Sequence, residues 1–577
     1  MNKIAFILLQ VLIFGLTTSC VHLQNTSPQL PFSPIGDGET KDQHFATSSK
    51  SMVVSQGTYS TKAGVEMLNK GGNAIDAAVA VSFTISVERP QSTGIGGGGF
   101  LLYAQSNKDV LAWDFRERAP IKSRRNMYLD EAGNLIPNKS IVGSLAIATP
   151  GLVKGLIEIH SKFGRLPLKT VMRPAIDLAK NGFSVYPDLA FALSVTEKSL
   201  AQFESTRKIF FKNNRPIQIG DQLIQTDLAK SLELIAESEG KTFYEGPLAS
   251  SMIASIQKHN GILSKEDLKS YKVISRKPLS SRYQDLIIST MPPPSSGGVH
   301  VVEILNILKH DKYPAGSVEN ISLTASAMQQ AFADRAQHLG DPDFVKVPTQ
   351  KLMSLEYAAE IRSRILPDKA RPSETVLAGK FDITEPDHTT HFSIIDSEGN
   401  AVSSTQTING FFGSSLVAEG TGIVLNNEMD DFSAKPGASN LFGAIGGSQN
   451  EIAPMKTPLS SMSPTIITKD GKIMFVVGSP SGTRILTCVA SVIRNYYDFN
   501  MPLYDAVSTI RYHHQWSPDL IRVDEPGFSA QLKSDLENRG FKVETNNLGC
   551  RVQAIAREGN ALIGVSDPRG LGMARGE

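Results

Sequence analysis

Apolar residues at helical spacing run through residues 57–88. Ala63, Val65, Met67 and Leu68 form one stretch, closed by Gly71-Gly72-Asn73, residue types that accept positive φ and end helices. From Ala74 to Val87 nearly every position is apolar, which predicts a helix buried on all sides. Gly94-Ile95-Gly96-Gly97-Gly98-Gly99 then leads into Phe100-Leu101-Leu102-Tyr103. Such a glycine cluster invites a phosphate-loop reading. A strand rather than a helix follows it, however, and no Gly-Lys-Ser/Thr closes it, so it predicts a tight backbone approach to a buried sheet.

Residues 153–275 alternate helical periods with polar turns. Met291 to Gly298 is a rigid, non-helical segment before an amphipathic helix over Val299–Leu308. Ala331-Phe332-Ala333-Asp334-Arg335 belongs to another helix that ends before Gly340-Asp341-Pro342-Asp343. Residues 366–388 carry acids and prolines and predict an exposed, flexible segment suited to a scissile bond. After residue 389 the period changes to two. Strands are predicted over His391–Asp396, Ala401–Thr407 and Lys472–Val477, each bounded by Gly, Asn or Asp. Helices return over Arg484–Tyr497 and Leu503–Arg511. The pattern is that of a layered α/β body around a central sheet, without internal repeat.

Composition narrows the function classes. The chain has 577 residues, too many for one simple core, so several domains or one large composite fold are expected. Hydrophobic residues make up 41% and charged residues 20%, an ordinary globular balance. A net charge of +1 leaves no electrostatic footprint for nucleic acid and no polybasic patch for a membrane. The start, Met1-Asn2-Lys3 followed by an apolar run from Ile4 to Leu16, is too short to span a bilayer and reads as an export signal over residues 1–20. Thr17-Thr18-Ser19-Cys20 leaves two readings open: lipidation of Cys20, or ordinary cleavage near Ser19 or Cys20. Residues 21–45 read as a polar tether. Export permits disulfides, but Cys488 lies in an apolar helical run and is expected to be a buried small hydrophobe rather than a bridge partner to Cys550. No Cys/His spacing matches a zinc site, and no metal or organic cofactor is expected.

The densest chemistry lies in Asp387-His388-Thr389-Thr390-His391-Phe392 and the residues after it. Thr389 stands directly before a strand and after a loop of acids and turn residues. Thr407-Ile408-Asn409 and then Asn426-Asn427-Glu428-Met429-Asp430-Asp431-Phe432 follow within about forty residues. A threonine hydroxyl needs a base to act as nucleophile. A chain interior supplies none, whereas a free α-amine on the same residue, with a reference pKa of about 7.7–8.0, does. Cleavage of the His388–Thr389 bond by the Thr389 hydroxyl would make both at once. Thr407, on the following strand, is placed to hydrogen-bond that hydroxyl. Ser460-Ser461 offers two adjacent hydroxyls. Gly478-Ser479-Pro480-Ser481-Gly482-Thr483 opens a helix whose first N–H groups suit an oxyanion. Taken singly, each motif has a plain structural reading: a strand threonine, a serine-rich turn, a helix cap. Arg116 alone would be a surface partner of Asp114 or Glu117.

Together these residues resemble the γ-glutamyltransferase (γ-glutamyltranspeptidase) family of N-terminal-nucleophile hydrolases. The resemblance covers nearly all of the chain after residue 45. It rests on Gly71–Ala78, Gly94–Phe100, Asp114–Glu117, Pro292–Gly298, Thr389–His391, Asn426–Ser433, Pro458–Pro464, Gly478–Gly482 and His513–Trp516 in that order. It implies an α/β (α+β) fold, an αββα four-layer sandwich built by a large subunit, residues 46–388, and a small one, residues 389–577. It also implies Thr389 as nucleophile with Thr407 as companion, and the N–H groups of Ser481 and Gly482 as the oxyanion hole. Arg116, Ser460 and Ser461 would hold a substrate α-carboxylate, and Asn409, Glu428 and Asp431 the α-ammonium. Phe442 falls in a segment, Pro436–Gly443, that resembles the family's lid.

The chain departs from many bacterial members, which have two glycines where it has Ser481-Gly482; a positive φ there would strain Ser481. The position of Glu428 is Gln in some members. The implied activity is transfer of a γ-glutamyl group from glutathione or related compounds to water, an amino acid or a dipeptide. The implied setting is the periplasm or the outer membrane, with lipid on Cys20 as the membrane attachment in the latter case. The rival readings are a cephalosporin or glutaryl acylase of the same superfamily and a non-catalytic exported binding protein.

Overall fold

The computed structural model describes residues 43–376, 389–435, 437, 440, 441, 443 and 445–577. Two seven-stranded sheets stack face to face. The first runs β1 (Phe45–Ser48), β13 (Ala561–Ser566), β12 (Gln553–Glu558), β11 (Lys472–Gly478), β10 (Thr465–Lys469), β7 (Leu286–Thr290), β6 (Leu279–Tyr283). The second runs β14 (Met573–Gly576), β2 (Met52–Ser55), β8 (Thr390–Ile395), β9 (Ala401–Thr407), β3 (Gly98–Ala104), β4 (Val110–Asp114), β5 (Ile274–Arg276). All neighbours within both sheets are antiparallel.

Helices close both outer faces. α1 (Thr58–Asn69) and α2 (Ala74–Glu88) cover the second sheet, with α3 (Leu168–Asn181) behind them. α4 (Gly297–Leu308), α6 (Ile485–Tyr497) and α7 (Leu503–Ser508) cover the first, with α5 (Val318–His338) packed on α4. The stack is therefore helix, sheet, sheet, helix, the four-layer sandwich that the sequence resemblance implies. Among the described residues no helix is long and apolar enough to cross a membrane.

The two-residue period of the strands builds these layers. In β2 and β3, Val53, Leu101 and Tyr103 join Phe392 and Ile394 of β8 in the core beneath α1 and α2. The alternate residues Met52, Val54, Phe100 and Leu102 point the other way, into the core shared with the first sheet. β8 and β9 turn polar residues to that inner side. His391 Nδ1 lies 2.8 Å from Thr405 Oγ1, while Ser393 and Ser403 donate to the carbonyls of Gln553 and Val477 across the layer. Burial lowers the His391 pKa to about 3, so the ring is neutral. These bonds satisfy buried polar groups that would otherwise destabilise the core.

Local details refine the sequence reading. α2 is buried at every position, as its composition requires. Gly71 closes α1 with φ 83°, but Asn73 has φ −103° and starts the next helix, its side chain accepting from the N–H groups of Ile75 and Asp76. α4 begins two residues earlier than expected and is buried throughout rather than amphipathic, because α5 and α6 both pack on it.

The expectation for Cys488 is overturned: it is disulfide-bonded to Cys550. An apolar helical setting does not exclude a bridge when a second buried cysteine arrives from the segment before β12. The closed loop spans 62 residues and anchors α6 to that segment. A Cys488→Ser/Cys550→Ser double variant is expected to lose about 4 kcal/mol on chain-entropy grounds. Its urea midpoint should fall and the slope should rise, because the unlinked unfolded chain exposes more surface.

Candidate active site

The two sheets end together at one edge, and that edge gathers the chemistry. In the second sheet β8 starts at Thr390, β9 ends at Thr407, β3 starts at Gly98 and β4 ends at Asp114. Thr390 pairs with Gln406, so the register carried one step further sets Thr389 opposite Thr407. Side chains opposed in this way share one face. Gly97 lies against the Thr407 carbonyl so closely that any Cβ would collide with it. The glycine cluster thus lets a second strand approach the site. Two residues beyond β4, Arg116 leaves the same edge.

In the first sheet β11 ends at Gly478, β10 starts at Thr465 and β7 ends at Thr290. Their extensions bring Ser479–Gly482, Ser460–Ser463 and Pro292–Ser296 to this place. Ser460 is fixed there by bonds from its N–H to the Pro294 carbonyl, 2.9 Å, and from Ser296 N–H to its own carbonyl, 2.8 Å.

A small pocket results. Nine of the residues expected from sequence line it: Arg116, Thr389, Thr407, Asn409, Glu428, Asp431, Ser460, Ser461 and Gly482. Thr389 is only 6% exposed. Asn409 adopts φ 73°; its N–H donates to Thr407 Oγ1, 2.8 Å, and its amide to the Asn427 carbonyl, 3.0 Å. Asn409 therefore ties the threonine pair to the acid-bearing turn Glu428–Asp431.

Arg116 is not a surface residue. It is buried, with Nη1 2.5 Å from Glu428 Oε1 and Nη2 2.5 Å from Asp431 Oδ2. Its Nε donates to the Pro458 carbonyl at 2.9 Å. The two acids hold its pKa above the ordinary arginine value despite burial. Burial in turn pushes Glu428 up to about 7 against the pull of Arg116, and raises Asp431 as well. Glu117, fully buried and facing Glu428, is raised well above the carboxylate range, first by burial and then by that neighbouring charge. Three carboxyl groups around one guanidinium cannot all be ionised at low cost. Asp430, also raised to about 7 by burial, accepts from Ser140 Oγ at 2.6 Å and from Leu441 N–H at 2.7 Å.

Ser481 has φ 109° and ψ 45°, a conformation that strains a residue with a Cβ, and its buried hydroxyl oxygen has no hydrogen-bond partner among the described residues. Gly482 follows with φ 51°. Among the described residues neither backbone N–H donates to a protein acceptor. Both stand at the head of the segment that leads into α6.

Sequence reasoning missed three residues here. Arg335 projects from α5 into the pocket. Asn440 donates to Asp431 Oδ1 at 2.9 Å, and Glu117 sits beneath Glu428. The available signal for Arg335 was a charged residue within a nearly apolar stretch, Ala331-Phe332-Ala333-Asp334-Arg335. His388 and Phe442 lie outside the described residues.

A family model described as Gamma-glutamyltranspeptidase matches residues 60–576. The chain is 44% identical over 547 residues to the glutathione hydrolase proenzyme of Escherichia coli (strain K12), covering 94% of each chain. The crystal structure of Helicobacter pylori gamma-glutamyltranspeptidase is 40% identical with a TM-score of 0.55, covering 57% of this chain and 95% of that one. The crystal structure of cephalosporin acylase from Bacillus halodurans is 27% identical with a TM-score of 0.82, covering 94% and 99%.

Proposed function

The chain belongs to the γ-glutamyltranspeptidase family, and from that premise we propose a self-processing glutathione hydrolase and γ-glutamyltransferase whose nucleophile is Thr389. The observation that carries the reading is one pocket lined by a strand-head threonine, guanidinium and hydroxyl donors, and carboxylates. Such a pocket complements an amino acid head bearing both an α-carboxylate and an α-ammonium.

In maturation the Thr389 hydroxyl attacks the His388 carbonyl, the acyl group shifts from nitrogen to oxygen, and water hydrolyses the ester. The products are a large fragment ending at His388 and a small one beginning with a free Thr389 amine, paired as a heterodimer. In catalysis that amine takes the proton from the Thr389 hydroxyl, with Thr407 orienting the oxygen. The hydroxyl attacks the γ-carbonyl of glutathione or a related amide. The N–H groups of Ser481 and Gly482 stabilise the tetrahedral oxyanion. The leaving amine departs with the proton, and the γ-glutamyl ester on Thr389 passes to water or to the amine of an amino acid or dipeptide. Arg116, Ser460 and Ser461 orient the head by its carboxylate; Asn409, Glu428 and Asp431 orient it by its ammonium. Both charges lie away from the reacting carbon, so removing either should lower kcat as well as raise KM. Residues 1–20 direct export to the periplasm, with lipidation of Cys20 as the route to the outer membrane.

The likeness to a cephalosporin acylase keeps a second reading in view. A glutaryl-type acyl group carries the carboxylate but no ammonium, which would leave Glu428 and Asp431 without a substrate partner. Purified protein is expected to run as two fragments on a denaturing gel, with Thr389 at one N-terminus. It should release p-nitroaniline from the γ-glutamyl anilide at least about tenfold faster than from the glutaryl anilide, the value of a charge-assisted contact. Faster release from the glutaryl compound would replace the proposed substrate; an uncut, inactive chain would leave only the binding-protein reading.

A further inference from the structure

The segment His513-His514-Gln515-Trp516 takes no part in the proposed chemistry, yet its glutamine reaches the loop that carries Ser481 and Gly482. Ser481 holds φ 109°, and a strained residue keeps such a conformation only where its surroundings impose it. Locally the turn closes through the Arg484 N–H, which donates to the Ser481 carbonyl at 2.9 Å. Ser479 Oγ bonds only within the loop, to the Pro480 carbonyl. Among the described residues one side-chain hydrogen bond ties residues 479–483 to the rest of the chain: Thr483 Oγ1 donates to Gln515 Oε1 at 3.1 Å. Both side chains are buried, and Thr483 lines the pocket next to Gly482.

The Gln515 amide is fixed in one orientation. Its Nε2 faces the carbonyls of Gly443 and Ser517, each at 3.3 Å, and a carbonyl can only accept. Its Oε1 therefore faces Thr483 and His513, and His513 Nε2, at 3.0 Å, is the ring nitrogen that carries a proton and donates. Burial holds the His513 pKa well below the ordinary histidine value, so the ring is neutral and Nδ1 is bare, 2.9 Å from Thr487 Oγ1 in α6. Gln515 thus grips the start of this helical segment twice, at Thr483 directly and at Thr487 through His513. Trp516 anchors the grip, its indole N–H donating to the carbonyls of Val376, 2.7 Å, and Ser373, 3.1 Å.

We infer that Gln515 is a positioning residue for the reaction, acting through the Thr483 hydroxyl to keep the Ser481 and Gly482 N–H groups aimed at the oxyanion. The inference rests on the reading of those N–H groups as the oxyanion hole. Such donors serve the transition state more than the bound substrate, so a loop that drifts should lose rate rather than binding.

The test uses the mature protein and the γ-glutamyl anilide. Thr483→Val removes the hydroxyl and keeps the side-chain shape. Its kcat should fall roughly 10–100-fold, since a displacement of about 1 Å can cost about 10²-fold, while KM stays within about twofold. Thr483→Ser, which restores a hydroxyl, should recover most of the rate. Gln515→Leu should repeat the loss in kcat, and the double variant should be no slower than the slower single one, because both changes break the same bond. Should Gln515→Leu fail to fold, the two Thr483 variants decide by the same signature. Losses that multiply in the double variant would overturn the inference. So would a loss that appears in KM alone, which would make Gln515 a support for the chain at Gly443. A wild-type protein inert on the γ-glutamyl anilide would defeat the functional reading itself, whereas an active wild type beside an equally active Thr483→Val would defeat this inference alone.

Discussion

A Thr389→Ala chain is expected to remain a single polypeptide and to lose at least about 10⁴-fold of its γ-glutamyl-releasing activity, the scale on which removal of a covalent nucleophile acts. On the proposed mechanism, the substitution removes the hydroxyl that would attack the His388 carbonyl and, with it, the step that would free the α-amine base. Maturation and turnover therefore fail together. Thr389→Ser keeps a hydroxyl at the same strand head and should still give two fragments. A denaturing gel and an anilide assay on the same preparations decide the matter. Two fragments from Thr389→Ala would move the scissile bond or the nucleophile elsewhere. Folding should be spared, because β8 is held on both sides, by β2 and β9.

The second large effect is expected at Arg116. Arg116→Met leaves Glu428, Asp431 and Glu117 buried around an apolar side chain. Removing one partner of such a cluster typically costs about 3–5 kcal/mol, and kcat/KM should fall roughly 100-fold as the charge-assisted contacts disappear. The loss should depend on pH. Glu428 is already raised from the ordinary 4.5 to about 7 in the presence of the arginine, and without it the folded pKa rises further. A group whose folded pKa exceeds its unfolded value contributes stability below the unfolded value and loses it as pH rises through the folded one. The deficit against wild type should therefore be smaller near about pH 5 and larger near about pH 8, read as urea midpoints at both. A deficit independent of pH would mean that the three carboxyls are relieved by water or by movement of the turn.

Much of this site is legible in the sequence because its parts sit at strand and helix ends, where local signals are strong. The two-residue period from His391 onward locates β8 and β9, and the pairing of those strands then sets Thr389 opposite Thr407. The strained loop at Ser481 is foreshadowed by its glycine neighbours and is found with φ 109°. What escapes is set by tertiary packing. Arg335 lies in the last turn of α5, and its spacing says nothing about which neighbour its tip will meet. The reading of Cys488 failed for a similar reason: its partner is 62 residues away and shares no motif with it. The amphipathic reading of α4 failed because a second layer of helices covers its outer side, which no pattern within the segment records.

The order of strands in the two sheets has a mechanical consequence. Chain before residue 389 supplies β1–β7 and chain after it supplies β8–β14, and the two contributions are shuffled rather than stacked. Five edges join them: β1 to β13, β7 to β10, β2 to β8, β2 to β14 and β3 to β9. Pulling the halves apart after scission would mean unzipping all five, which amounts to unfolding. The nicked molecule should thus resist dilution as an uncut protein does, and the halves made from separate messages would have to fold around each other rather than dock as finished pieces.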